Sequence, residues 1–151
     1  MKLLSFLAVL VAALALTACG SSGGSGDQLS KNDLVKQADT ICKDVSKKLN
    51  NVPSPKSSAD LADYGNKAST IISDGANQLD DLKPSDSEKQ SYDAFISAAK
   101  KQSDLAGQLA TAAKSSDQTK IRAILAQAKA SDIKGKAAAQ KLGMTACGKG
   151  T

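Results

Sequence analysis

The chain has 151 residues and a net charge of +5, yet it contains no His and no Trp, and only 3% of its residues are aromatic. Those absences remove the usual ligands for zinc and haem and the usual base for a Ser or Cys nucleophile, so no metal, no cofactor and no enzyme activity are expected. They also leave almost no platforms for base stacking, so no nucleic-acid partner is expected despite the basic balance.

The first 18 residues read as a targeting segment rather than as part of the fold. Lys2 precedes an apolar stretch from Leu3 to Leu16, and small residues lead into Cys19. That order of charge, apolar run and small residues is the layout of a secretory signal. The stretch falls short of the roughly 20 residues that a spanning helix needs. Leu16-Thr17-Ala18-Cys19-Gly20 resembles the lipobox of bacterial lipoproteins. The resemblance implies cleavage before Cys19, lipidation of its thiol, and anchorage on the extracytoplasmic face of a bacterial membrane. Two or more acyl chains anchor stably where one does so marginally. Residues 19–29 then form a tether whose Gly/Ser tract cannot bury a core. Its root-mean-square reach is roughly 15–18 Å, so a folded domain over residues 30–151 should hover near the bilayer. Its positive charge, +5 less Lys2, is spread among alternating Lys and Asp and reads as solvated helix faces.

That domain divides into four segments of helical period. Ser30 and Asp33 have capping-box spacing, Leu29 and Leu34 can staple the entry, and a stripe follows through Ala38, Ile41, Cys42, Val45 and Leu49. Asn50-Asn51-Val52-Pro53-Ser54-Pro55 breaks it. Ser57 and Asp60 open a second stripe through Leu61, Tyr64, Ala68, Ile72, Gly75, Leu79 and Leu82, which ends at Lys83-Pro84. Ser85 and Glu88 form the best capping box and lead into Tyr92, Phe95, Ile96, Ala99, Ala106, Leu109 and Ala113. Ser115-Ser116-Asp117 interrupts, and the fourth stripe takes in Ile121, Ile124, Leu125, Ala128, Gly135, Ala138 and Leu142 before Gly143 stops it. No strand alternation is sustained. Short connections predict an all-α, antiparallel up-down-up-down four-helix bundle.

Once Cys19 is set aside, Cys42 and Cys147 remain, and in an oxidising compartment two cysteines normally pair. A redox-active pair is the alternative, but there is no Cys-x-x-Cys. The tail after the fourth helix must fold over one end of the bundle to reach Cys42. Asp39 and Asp132 adjoin the stripes; at such an edge a carboxylate normally meets a Lys, Arg122 or a cap. If both instead shared a cleft with Tyr64 or Tyr92, the four would recognise a cationic or hydroxylated ligand.

Ala38-Asp39-Thr40-Ile41-Cys42 and Leu142-Gly143-Met144-Thr145-Ala146-Cys147-Gly148 resemble a group of small secreted bacterial lipoproteins of unknown function with an Ala-Asp-x-Ile-Cys helix and a Leu-Gly-x-x-x-Cys-Gly tail. The resemblance implies helices pinned by Cys42–Cys147 and carries no activity. The leading expectation is a non-catalytic, lipid-anchored binding module with an envelope protein as partner. A carrier of a small apolar or amphiphilic ligand between Ala/Gly-lined helices, and a structural spacer, are the alternatives. A carrier requires a cavity of a few hundred Å³, and an interaction module requires a contiguous exposed apolar patch.

Overall fold

A computed structural model describes residues 28–149; the expected signal peptide, Cys19 and the Gly/Ser tract lie outside the described residues. Four helices follow one another: α1 (Lys31–Asn50), α2 (Ser58–Asp80), α3 (Asp86–Lys114) and α4 (Gln118–Leu142), with a single 3-10 turn at Cys147–Lys149 in the tail. There is no strand among the described residues.

The helix starts follow the sequence punctuation. Ser30, Ser57 and Asp117 occupy N-cap positions, and each side chain accepts from the backbone N–H three residues on, satisfying a donor that the first turn otherwise strands. Ser85 holds the N-cap position of α3 but makes no such bond. Its hydroxyl donates instead to the Glu88 carboxylate, as does that of Ser87. The expected capping box is thus replaced by side-chain bonds, the hydroxyls donating to an ionised acceptor. Helix α2 also stops earlier than predicted, at Asp80, and Leu82 reaches the core from the turn.

Helix α4 ends in a Schellman motif. Gly143 adopts a left-handed backbone with φ 84°, its N–H bonds the Gln140 carbonyl, and the Met144 N–H bonds that of Ala139. Met144 and Ala139 are both buried in the same apolar cluster, which supplies the hydrophobic contact that completes this motif. The tail is thereby turned back across α1, where Cys147 meets Cys42 with their Cα atoms 5.2 Å apart.

Packing is uneven. The extensive contacts are α2 on α3 and α3 on α4, while α1 leans on α2 and on the tail turn. One apolar cluster joins Leu34 and Ala38 of α1 to Leu79, Tyr92, Phe95 and Leu142. A second holds Ala62, Leu105, Leu109, Ile121 and Ile124, with no residue from α1. The molecule therefore has four helices at one end and three at the other. The cause is length: α1 has 20 residues against 29 in α3, or roughly 30 Å against 43 Å at 1.5 Å per residue. Leu125, expected in the core, is 52% exposed, because no fourth helix covers that stretch of α4.

Small residues set the helix spacing. A Cβ on Gly65 would lie 2.7 Å from the Ala106 carbonyl and 2.9 Å from the Ala110 nitrogen, so the α2 and α3 backbones approach here as only glycine permits. Ser69 and Ser103 exchange hydroxyl-to-carbonyl bonds across the same pair of helices, both 2.9 Å. Ser131 on α4 donates to the Ala98 carbonyl at 3.2 Å. No buried side-chain polar atom among the described residues lacks a partner, so these serines sit in the core without the cost of an unmet hydrogen bond.

Candidate functional site

Because α1 leans toward α2 and away from α4, a groove of about 420 Å³ opens between them. Its apolar lining comes from Val45 and Leu49 of α1, Ile72 and Leu79 of α2, and Phe95 of α3. Gly75, Ala76, Ala99 and Ala128 supply wall rather than bulk, and that is why the space is unfilled. Val45 reaches onto α2 at Gly75, where a Cβ would collide with its methyl group. The disulfide closes one side, since Cys42, Ala146 and Cys147 all line the groove.

Polar groups gather at the α4 side. Gln102 is occupied, donating to the Ala128 carbonyl at 2.8 Å. Asp132 pairs with Lys136 at 2.6 Å, both partly exposed. Lys129 lines the groove and is exposed. An apolar channel with polar groups at its rim suits an amphiphile, with its chain inside and its polar end out.

The four candidate contact residues do not converge. Of these only Asp132 borders the groove. Tyr92 is a core residue, 2% exposed, donating its hydroxyl to the Leu79 carbonyl at 2.6 Å; burial, and secondarily the Asp80 carboxylate, push its pKa far upward. Tyr64 lies beneath the α1–α2 loop beside Val52 and Pro53.

Asp39 is the anchor of the tail. Its Oδ2 accepts from the Thr145 N–H at 3.0 Å and the Thr145 hydroxyl at 2.8 Å, and its Oδ1 from the N–H groups of Ala146 at 2.8 Å and Cys147 at 3.3 Å. Burial alone would raise its pKa, but these donors outweigh burial and hold the carboxyl below the ordinary Asp value. Its partners are neither a Lys, nor Arg122, nor a neighbouring cap, but donors from the far end of the chain. The signal was legible in principle: three consecutive backbone donors after a Schellman turn require an acceptor.

Among the described residues no cluster of His, Cys, Asp or Glu could hold a metal ion, and no helix is long and apolar enough to cross a membrane. No protein-family model, curated protein or solved structure matches the chain.

Proposed function

We propose that the protein is a non-catalytic, lipid-anchored carrier that holds the apolar part of a small amphiphile in the groove between α1 and α4, on the extracytoplasmic face of a bacterial membrane. The observation that carries this reading is the groove itself, about 420 Å³ and lined by side chains from all four helices, within the range of small-ligand sites. An interaction module is less well supported: among the described residues the large apolar side chains that stand exposed are Leu125 and Ile133, two residues rather than a patch. The reading takes the helices as an antiparallel up-down-up-down bundle. The Gly65–Ala106, Ser69–Ser103 and Leu79–Tyr92 contacts run in opposite chain directions along α2 and α3, which supports that arrangement. It takes Cys19 as the anchor from the lipobox resemblance, which would keep the groove a tether's length from a lipid surface.

Native mass spectrometry of protein extracted without added lipid is expected to show a bound small amphiphile, and Ala99→Phe, which fills the groove, should abolish that mass increment while the fold is retained. An increment that survives Ala99→Phe would remove the groove reading. Cys19→Ala should move the protein from the membrane to the soluble fraction; persistence in carbonate-washed membranes would remove the anchor.

A further inference from the structure

A second cleft adjoins the groove. It encloses about 600 Å³ between the last two turns of α1 and the tail, and it shares Ser46 and Ala146 with the groove. Three of its lining residues are lysines: Lys43, Lys47 and Lys149. All three are exposed, and no ion pair among the described residues engages any of them. This contrasts with the neighbouring Lys48, paired with Asp44 at 2.7 Å on the same helix. Asn50 and Asn51 add amide donors, and no carboxylate among the described residues lines the cleft. The nearby Asp39 is taken up by the four tail donors.

Ordinary structural needs account for only part of this. A lysine in the last turn favours the negative end of the helix dipole, which explains Lys47. It does not act on Lys43, which stands four residues before Lys47, a like-charge spacing, and four after Asp39, an opposite-charge one. Nor does it explain Lys149, which the tail brings to the same cleft. Three lysines that make no ion pair among the described residues, beside an apolar channel, are the complement of one molecule with an anionic head and an apolar chain.

Resting on the carrier reading above, we infer that the ligand is a single-chain amphiphile with a phosphate- or carboxylate-type head, its chain in the groove and its head held by Lys43, Lys47 and Lys149. Calorimetric titration of the full-length chain with hexadecyl phosphate, hexadecyltrimethylammonium and inorganic phosphate, all below micelle-forming concentrations, tests this. Hexadecyl phosphate is expected to bind at least about tenfold more tightly than the cationic amphiphile. The combined Lys43→Gln, Lys47→Gln, Lys149→Gln variant should erase most of that preference. The matching Lys→Arg variant should keep it, as should Lys67→Gln, Lys114→Gln, Lys134→Gln, which removes equal charge elsewhere. Equal affinity for both heads, or equal loss in the two Gln variants, overturns the head site and leaves the groove reading intact. Failure of both amphiphiles to bind overturns both. Inorganic phosphate binding as tightly as hexadecyl phosphate makes the cleft a free-anion site and overturns the inference.

Discussion

Reduction of the Cys42–Cys147 bond is expected to lower stability by about 2–5 kcal/mol and the melting temperature by roughly 10 °C or more. The bond closes 105 residues of sequence, for which the chain-entropy view gives ~4.7 kcal/mol. The effect should be local before it is global. Helix α1 contributes only Leu34, Ala38, Asp39 and Leu49 to the buried set, whereas α3 contributes nine residues. Once the bond is cut, α1 and the tail should open first while α2, α3 and α4 stay protected. Thermal melts with and without reductant, read beside hydrogen exchange, check both parts. An unchanged melt in reductant would show that the bond staples nothing, and uniform loss of protection would show that α1 is integral to a single cooperative unit.

Replacement of Asp39 by Asn is the second large effect, expected to cost about 2–3 kcal/mol. The substitution preserves shape but not chemistry. Both carboxylate oxygens accept from tail donors, and an amide would turn its NH₂ against two of them. The acid dependence follows from the same bonds. Because the folded-state pKa lies below the unfolded one, ~3.9 for a free Asp side chain, the stabilisation is complete above that value. It is lost as pH falls through the folded pKa. Wild type should therefore lose stability below about pH 4 more steeply than Asp39→Asn. Identical acid limbs in the two proteins would refute the assignment.

Much of the fold was readable because its punctuation is local. Ser30, Ser57, Ser85, Asp117 and Gly143 mark termini through chemistry confined to one turn, and all five hold those positions. The disulfide was readable once the lipobox resemblance set Cys19 aside, since the remaining two of three cysteines allow one intramolecular pairing. What escaped depends on helix lengths in three dimensions. Leu125 has the correct period for burial, but period cannot say that α1 ends before covering it. Ser103 and Ser131 are polar by type and buried in fact, because a carbonyl on the facing helix meets each hydroxyl. Gly65 passed unremarked beside Gly75 and Gly135, although its closest approach is to backbone and theirs to side chains. Ala- and Gly-rich stripes offered a cavity between the helices as one reading; its place escaped for the same reason as Leu125, because it exists where two stripes fail to meet.

The link between residues 42 and 147 also makes a covalent ring of α2, α3, α4 and the end of α1. A single backbone cut anywhere inside the ring leaves one molecule, still joined through sulfur, so one proteolytic nick in the exposed loop at Pro53–Pro55 would not release a fragment. A pull exerted through the segment before Cys42 against the tail beyond Cys147 travels through the sulfurs and spares the helices inside the ring. The load path runs through the first half of α1 and the sulfurs, and α2, α3 and α4 lie off it.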